Sequence, residues 1–300
     1  YREVDIVEDP EDWAVFSYGR TTPGVVMVSS PMFRPFMMNP RSTGRQMGGE
    51  VLVAHELAHQ WFGVSVRPAS TYDNWLSESV AEYLSGMVAQ DLKLDNRSVQ
   101  RSAMRGWSSL YGEWDGYAPW CKDWSIEAAN SLAGANSGEY RYCLLYQRGP
   151  RTLHMLRGWM GDQAFLTILK RFLATYKNQR VTSDDFSYVL SKATGKEMRW
   201  YVDDWFRRGP KPPIKVSAEL QQATDGRPQI VAHASQPAGT FARVFVPLVL
   251  REASGGTSVK LLMIDSAETT ATIPLDTMPG KVEVDPFKLN LVEYTAPKKK

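Results

Sequence analysis

Apolar positions recur at two different spacings along the chain, and the change falls near residue 210. Before this point, several segments repeat apolar residues every three or four positions, which is typical of helices packed on a core. After the Pro-Pro pair at 212–213, short β-branched runs alternate with turn residues, as in a β-sandwich. The pattern predicts an α+β fold: a mainly helical domain over 1–210, which opens with a small N-terminal sheet, and an all-β sandwich domain over 211–300.

The ends of the predicted elements follow from capping and turn residues. A helix over 51–62 closes at Gly63, and a second helix begins at Asp73 or Asn74, with an apolar stripe that reaches Met87. The remaining predictions are a long helix from Pro150 to Phe172, a helix from a capping box at 182–185 to Gly195, a helix over 200–208, and strands at 4–7, 24–29, 230–231, 242–250, 259–264, 270–275 and 281–284.

Composition limits the classes of partner. With 35 Lys plus Arg against 33 Asp plus Glu, the formal net charge is +2, too small to recruit a polyanion, so we expect no nucleic-acid partner. No stretch reaches the roughly eighteen apolar residues of a membrane span. The start Tyr1-Arg2-Glu3 has no signal-peptide pattern and lacks Met, so we expect the protein to contain a preceding segment, and the compartment is left open.

Three further features carry less information. Cys121 and Cys143 lack a Cys-x-x-Cys spacing; they either pair or stay free, and we expect ordinary structural thiols. The aromatic-rich stretch 101–124 either walls a cleft or packs onto the helical core. His154 lies within an apolar helix face without a ligand spacing, which favours a packed core histidine over a metal ligand.

The segment His55-Glu56-Leu57-Ala58-His59 carries the strongest chemical signal. Two imidazoles four residues apart on a helix lie on one face, about one turn apart, so both can bind a single ion. Glu56 is turned by about 100° around the helix axis from the first histidine. That position suits a carboxylate that contacts a metal-activated water and acts as a general base.

Glu78 supplies the third ligand in this interpretation. It lies nineteen positions after His59, on the second predicted helix. Two imidazoles and one carboxylate leave an open coordination position for water, which is typical of hydrolytic and not of structural zinc sites. These ligand types favour zinc, so we expect one Zn2+ per chain. Glu82, one turn further, either orients a ligand through a hydrogen bond or is a solvated helix carboxylate.

The histidine motif continues as Gln60-Trp61-Phe62-Gly63, and Glu78 stands in the context Trp75-Leu76-Ser77-Glu78. This combination resembles the aminopeptidase N family of zinc peptidases, which are gluzincin metallopeptidases. The resemblance implies a thermolysin-like catalytic domain followed by a small β-sandwich, which together account for nearly the whole chain. It also implies a peptide substrate and an N-terminal β domain that these residues do not include.

A second family element is a tyrosine in a Tyr-x-Lys-Gly context, some sixty-odd residues beyond the glutamate ligand. Tyr146-Gln147-Arg148-Gly149 is similar to it, with Arg148 in place of the lysine. The resemblance implies that the Tyr146 hydroxyl donates a hydrogen bond to the oxyanion that forms when water attacks the peptide carbonyl. A donor placed beside the metal stabilises charge that develops only in the transition state. We take Arg148 as a candidate substrate contact.

The chain departs from the family at the strand that binds the substrate's free amine. The family has a Gly-x-Met-Glu-Asn strand, and its counterpart here is Tyr18-Gly19-Arg20-Thr21, where Thr21 occupies the position of the amine-binding glutamate. We take Gly19, Arg20 and Thr21 as candidate substrate contacts. A hydroxyl beside an arginine does not neutralise an ammonium group. The acid that replaces the glutamate is then Glu11, Asp12, Glu82 or a residue of the preceding domain.

These features predict a zinc-dependent metallopeptidase. Among the types of peptidase, we expect first an aminopeptidase that acts on oligopeptides. The loss of the amine-binding glutamate keeps three alternatives open: an endopeptidase, a carboxylate-guided peptidase, or a peptidase of narrow specificity that uses Arg20. A catalytically retired chain that serves as a binding or scaffold protein is a further alternative. One branch of the family hydrolyses epoxides, and a non-peptide hydrolase therefore also stays open.

Overall fold

The structure is a computed structural model that describes residues 3–9, 19–30, 49–92, 125–130, 137–209, 213–237, 241–252, 255–287, 289–292 and 294–295. The aromatic-rich stretch 101–124, Cys121, Glu11 and Asp12 lie outside these residues. Within them, helices and strands are mixed, as the α+β class requires. None of the described helices is long and apolar enough to cross a membrane.

The described part of the chain contains seven α-helices and twelve strands. The helices are α1 (Gly49–His59), α2 (Glu78–Asp91), α3 (Ser137–Tyr142), α4 (Gly149–Met160), α5 (Asp162–Thr175), α6 (Ser183–Thr194) and α7 (Arg199–Val202). Two π-helical segments follow α3 and α7, at Cys143–Arg148 and Asp203–Arg207, and two 3-10 helices span Thr71–Leu76 and Glu127–Asn130. The strands are β1 (Asp5–Asp9), β2 (Gly19–Thr22), β3 (Val25–Ser29), β4 (Arg67–Pro68), β5 (Arg180–Val181), β6 (Ile214–Gln222), β7 (Pro228–Ser235), β8 (Val244–Arg251), β9 (Thr257–Ile264), β10 (Glu268–Pro274), β11 (Lys281–Val284) and β12 (Tyr294–Thr295).

A small sheet packs against α1, the helix that carries the histidine pair. Its strand order is β1-β3-β2, with β3 parallel to β1 and antiparallel to β2. Side chains alternate between the two faces of a strand, and this alternation turns Val26 and Val28 of β3 inward. Both contact Leu52 of α1 in a small hydrophobic cluster. The sheet is therefore held against the helix by apolar burial.

The core of the helical part is dominated by aromatic side chains. The ring centroids of Trp75 and Phe206 are 3.8 Å apart, and those of Trp75 and Phe186 are 5.2 Å apart. The Trp75 indole nitrogen donates a hydrogen bond to Ser183 Oγ at 2.9 Å, so its buried polar atom is satisfied. Trp75 lies three residues before Glu78, and the core thus fixes the chain where α2 begins.

The prediction of one long helix from Pro150 to Phe172 is wrong, because the structure has two helices there. α4 and α5 are separated by Gly161, whose φ of 83° and ψ of 161° lie in a backbone region that is open almost only to glycine. Apolar residues of both helices join the same hydrophobic core. The periodicity therefore continues through the break and does not reveal it.

Two other predicted helix starts can be compared with the structure. Thr182 and Asp185 form the predicted capping box of α6, and Gly195 ends that helix at a φ of 68°. The helix expected from Asp73 starts as a 3-10 helix and becomes α-helical only at Glu78. The buried Asp73 accepts hydrogen bonds from the Ser70 hydroxyl and from the backbone nitrogen of Ser183, the first residue of α6, so it joins this turn to α6 and does not cap α2.

The strands after residue 213 form two sheets, with the orders β10-β7-β6-β12 and β11-β8-β9. Inward residues of both sheets, such as Ile230 on β7 and Val246 on β8, belong to one hydrophobic cluster. The five strands predicted in this part are confirmed as β7 to β11. β6 was not predicted, because only Ile214 and Val216 on it are buried and the remaining positions are polar or partly exposed.

Polar contacts join the helical part to the sheets. Asp204 is buried, and its Oδ2 accepts hydrogen bonds from the backbone nitrogen (3.1 Å) and from Nε (2.8 Å) of Arg243. Two indole nitrogens also cross the junction, from Trp205 to the Arg243 carbonyl and from Trp159 to Asn290 Oδ1, both at 2.9 Å. The two parts also share one hydrophobic cluster, and the domain boundary at residue 210 stays a prediction.

Cys143 is disulfide-bonded, so the expectation of free structural thiols is wrong for this residue. It is the first residue of the π-helical segment after α3. Disulfide formation depends on the approach of two Cα atoms in space. Sequence spacing does not contain that information.

Substituting Gly161→Ala tests the break between α4 and α5. The added Cβ meets no atom within 4 Å, so the expected cost is conformational, about 1–3 kcal/mol of unfolding free energy. Urea unfolding of the variant and of Gln163→Ala, an exposed control in the first turn of α5, measures it. Equal stability of the two variants contradicts the assignment of a strained connection.

Candidate active site

The structure brings the three predicted metal ligands to one point. His55 and His59 on α1 face each other with their Nε2 atoms 3.1 Å apart. Glu78, the first residue of α2, places Oε2 3.8 Å from His55 Nε2 and 3.6 Å from His59 Nε2. Among the described residues these three side chains form a group in which one ligand atom from each lies within 4.8 Å of the others.

This donor set fits a zinc ion. Ligand atoms about 2.0–2.2 Å from a tetrahedral zinc lie roughly 3.3–3.6 Å from one another. The three separations of 3.1, 3.6 and 3.8 Å fall close to this range. Two imidazole nitrogens and one carboxylate oxygen are also the donor types of hydrolytic zinc sites.

The second ring nitrogen of each histidine has an oxygen partner. His55 Nδ1 lies 3.0 Å from Glu82 Oε2, and His59 Nδ1 lies 2.9 Å from the carbonyl oxygen of Phe62. An Nδ1–H that donates to oxygen leaves Nε2 as the lone-pair donor toward the metal position. Glu82 therefore contacts a ligand and is not a purely solvated carboxylate.

The early end of α1 explains the partner of His59. The predicted helix over 51–62 stops at His59, and the following turn brings the Phe62 carbonyl back to His59 Nδ1. Gly63 makes this turn possible at a φ of 136°, and a Cβ there would lie 2.8 Å from Ser77 Oγ. Ser77 Oγ donates to the same Phe62 carbonyl at 3.0 Å and lies 3.1 Å from His59 Nδ1.

The pKa values in the group are shifted by mutual contact. Burial lowers the pKa of His55, but the carboxylates of Glu78 and Glu82 outweigh it and raise that pKa to about 10. Burial raises the pKa of Glu78, but hydrogen bonds with His55 and His59 outweigh it and hold that pKa well below its usual range. The carboxylates of Glu78 and Glu82 thus favour positive charge between the two histidines.

The carboxylate of Glu56 lies against strand β2 of the small sheet. Thr21 Oγ1 on β2 lies 2.7 Å from Glu56 Oε2 and 2.8 Å from the Glu56 carbonyl oxygen. Gly19 lies against the same carboxylate, since a Cβ on Gly19 would be 2.6 Å from Glu56 Oε1. Two of the three predicted strand residues thus surround Glu56, whereas Arg20 is exposed on the opposite face of β2.

Gln60 attaches strand β2 to the end of α1, and it was not among the predicted site residues. Its amide nitrogen donates to the Thr22 carbonyl at 2.8 Å, and its amide oxygen accepts from the backbone nitrogen of Gly24 at 2.9 Å. The side chain is completely buried. Its position directly after the second histidine is only a weak sequence signal for this contact. The partners of the amide are backbone atoms, which leave no pattern in the sequence.

Tyr146 lies at the other side of the ligand group. Its hydroxyl donates to Glu78 Oε2 at 2.6 Å, and burial and that carboxylate hold the Tyr146 pKa well above its ordinary value. The residue sits in the π-helical segment Cys143–Arg148, a winding that often occurs at functional sites. Ser79 Oγ donates to the Leu145 carbonyl at 2.7 Å and so ties this segment to the start of α2.

Arg148 and His154 each hydrogen-bond to a residue that is not a predicted metal ligand. Arg148 is buried and donates to the Gly209 carbonyl at 3.1 Å, and its role as a substrate contact stays a prediction. His154 is hydrogen-bonded to the Tyr83 hydroxyl at 3.2 Å, as expected of a core histidine. Burial and the nearby guanidinium groups of Arg151 and Arg157 lower the pKa of His154 to about 4.

Comparison with known proteins decides the family. The model of the peptidase family M1 domain matches residues 32–205. The chain belongs to peptidase family M1. This family assignment agrees with the resemblance to aminopeptidase N in the histidine and glutamate motifs.

Individual relatives match somewhat more than half of the chain. Aminopeptidase N of Lactococcus lactis subsp. lactis is 32% identical over 188 residues, which cover 58% of this chain and 20% of that protein. A probable aminopeptidase 2 of Sulfurisphaera tokodaii is 29% identical over 189 residues, 59% of this chain and 22% of that protein. The chain thus spans about a fifth of the length of these M1 proteins.

The fold is also that of a solved structure of an aminopeptidase. The crystal structure of Legionella pneumophila aminopeptidase A in complex with aspartic acid superposes with a TM-score of 0.70. The match covers 98% of this chain and 32% of the other, at 18% identity. Both the helical part and the sheets therefore have counterparts in that chain.

The lowered pKa of His154 predicts a pH dependence of stability. In the unfolded chain the pKa of His154 is near the ordinary value of 6.5, whereas in the folded chain it is about 4. The unfolded state thus binds more protons between these values, and stability falls as the pH drops from 6.5 to 4, by about 3 kcal/mol from this residue.

Urea unfolding at several pH values compares the wild type with His154→Gln. We expect the variant to lose part of the pH slope between 4 and 6.5, while both proteins keep the slopes that come from other groups. The charged neighbours Arg151, Arg157 and Asp162 are unchanged in this comparison. Parallel curves over the whole range contradict the prediction.

Proposed function

We propose that this chain is the catalytic part of a zinc-dependent peptidase, with His55, His59 and Glu78 as the metal ligands. The observation that carries the proposal is the meeting of two imidazole nitrogens and one carboxylate oxygen at distances of 3.1 to 3.8 Å. Glu56 follows His55 on α1, and the Tyr146 hydroxyl donates to Glu78 at the start of α2. Membership of family M1 supports the same reading.

The proposed chemistry divides between the ion and the side chains. A zinc ion bound here polarises the scissile carbonyl and lowers the pKa of water. The Glu56 carboxylate accepts the proton of the attacking water and delivers it to the leaving amine. The Tyr146 hydroxyl, which donates to Glu78 in this structure, turns to the oxyanion that develops on the substrate.

We propose an aminopeptidase acting on oligopeptides. The relatives from Lactococcus lactis and Sulfurisphaera tokodaii are named as aminopeptidases, and this supports the assignment. Glu82, one of the acids that we considered for the substrate's amine, is bonded to His55. Glu11, Asp12 or an acid from a preceding β domain then supplies the negative charge.

An endopeptidase is the second candidate, and one observation favours it. Thr21, at the position of the family's amine-binding glutamate, has no negative charge, and its hydroxyl contacts Glu56. A site without an acid at this position does not select for a free amine. Cleavage within a peptide is then as accessible as cleavage at its end.

A matched pair of peptides separates the two candidates. We expect the zinc-loaded protein to cleave a peptide with a free N-terminus and to leave the acetylated form intact, because an ammonium group is required for binding. Glu56→Gln is the control, and its rate falls by about 100- to 10,000-fold because the general base is lost. Equal cleavage of both peptides favours the endopeptidase, and no cleavage of either with zinc bound contradicts the catalytic proposal.

Metal binding is tested independently of turnover. Competition with a chromophoric chelator measures zinc affinity in wild type, Glu82→Ala and Glu56→Gln. We expect Glu82→Ala to bind zinc about 10- to 100-fold more weakly, since His55 loses the partner that orients it. Glu56→Gln retains its affinity because Glu56 is not a ligand. Removal of zinc lowers the melting temperature, because only the folded chain binds it; an unchanged melting temperature contradicts the ligand assignment.

A further inference from the structure

Thr21 is hydrogen-bonded to Glu56, the proposed general base. Its Oγ1 is 2.7 Å from Glu56 Oε2 and 2.8 Å from the Glu56 carbonyl oxygen. No other hydrogen-bond donor to the Glu56 carboxylate occurs among the residues that the structure describes. The side chain of Glu56 is buried, so this partner replaces water.

Two acceptors compete for the single proton of the Thr21 hydroxyl. The Glu56 carbonyl is available because α1 ends at His59, and the nitrogen of Gln60 bonds instead to Leu57. An ionised carboxylate is the stronger acceptor, since charge-assisted hydrogen bonds are roughly twice as strong as neutral ones. The Thr21 hydroxyl therefore donates its hydrogen bond to Oε2 when the carboxylate is ionised, which is the form that acts as a base.

The backbone of β2 holds this hydroxyl in place. Gly19 and Thr21 are two residues apart on the same face of the strand, and both contact Glu56. Gln60 bonds to the Thr22 carbonyl and to Gly24 and thereby attaches the end of the strand to α1. The carboxylate of Glu56 thus lies between a glycine that gives it room and a hydroxyl that orients it.

We propose that Thr21 is a positioning residue for Glu56: its hydroxyl holds the carboxylate of the general base in one orientation. This inference rests on the proposed peptidase function and extends it. In the family this strand binds the substrate's amine. In this chain it aligns the carboxylate of Glu56. Thr21 is then not available as the contact for the substrate's amine.

Two substitutions at Thr21 separate the hydroxyl from the shape of the side chain. Thr21→Val keeps the volume and removes the donor, whereas Thr21→Ser keeps the donor. Thr22→Val is the matched control, because Thr22 is exposed on the opposite face of β2 and only its backbone contacts Gln60. Each zinc-loaded protein is assayed with the free and the acetylated peptide, and its zinc affinity is measured.

We expect Thr21→Val to lower kcat by about 10- to 100-fold, which corresponds to the loss of one hydrogen bond to a charged group. KM and zinc affinity stay near the wild-type values, Thr21→Ser restores most of kcat, and Thr22→Val has no effect. An unchanged kcat in Thr21→Val overturns the proposal. A change in KM alone also overturns it, because Thr21 is then a substrate contact.

A double-mutant cycle tests the contact without activity. Melting temperatures of the metal-free protein are compared for wild type, Thr21→Val, Glu56→Met and the double variant. If the hydroxyl donates to the carboxylate, Thr21→Val shifts the melting temperature less in the Glu56→Met background. An equal shift in both backgrounds assigns the hydroxyl to the Glu56 carbonyl and overturns the proposal.

The two experiments also separate this inference from the proposed function. If the wild type cleaves neither peptide while the melting cycle shows coupling, the peptidase assignment fails and the Thr21–Glu56 contact stands without a catalytic role. If the wild type cleaves a peptide and the melting cycle shows no coupling, the peptidase assignment stands and the role of Thr21 fails.

Discussion

Burial of three carboxylates and two imidazoles in one small volume is the constraint on which the site depends. Glu56, Glu78 and Glu82 project from two neighbouring helices, and charged groups that leave water must be paired. Each carboxylate has a separate partner: a strand hydroxyl for Glu56, the imidazoles and a phenol for Glu78, and a ring nitrogen for Glu82. The arrangement of the surrounding elements follows from supplying these partners.

The two serines beside Glu78 connect the site to its surroundings. Ser77 contacts His59 and the turn after α1, and Ser79 contacts the π-helical segment that carries Tyr146. Each contact is accompanied by a glycine, because a Cβ on Gly63 or Gly149 would collide with the corresponding serine. Residues 77–79 therefore connect the end of α1, the two histidines and the tyrosine to the start of α2.

The sequence predicts the parts of the site that depend on helical spacing. His55, His59 and Glu56 are related by one turn of a helix, and the structure holds the two histidines and Glu78 together as expected. Tyr146 was found only through resemblance, since its π-helical setting has no pattern of its own. Thr21 and Gln60 were not recognised as neighbours of the site-forming helix, because a contact between strand and helix depends on tertiary packing.

The same division applies to the fold. Strands with continuous apolar runs, such as β8, are visible in the sequence, whereas the largely polar β6 is not. The capping box before α6 is local and was predicted, while the break at Gly161 is hidden because helices on both sides face one core. Helix caps and apolar runs can thus be predicted from the sequence, whereas features that depend on tertiary contacts cannot.

The π-helical winding of Cys143–Arg148 has a consequence for how the chain tolerates change. A π-turn holds about one residue more than an α-turn, and one residue corresponds to about 100° of rotation around a helix axis. Losing a single residue from this segment would leave a regular helix in place and rotate the Tyr146 ring away from Glu78. The same rotation would also displace Leu144 and Leu145, which are buried in the main core, so a one-codon deletion here would disturb the tyrosine and the core together.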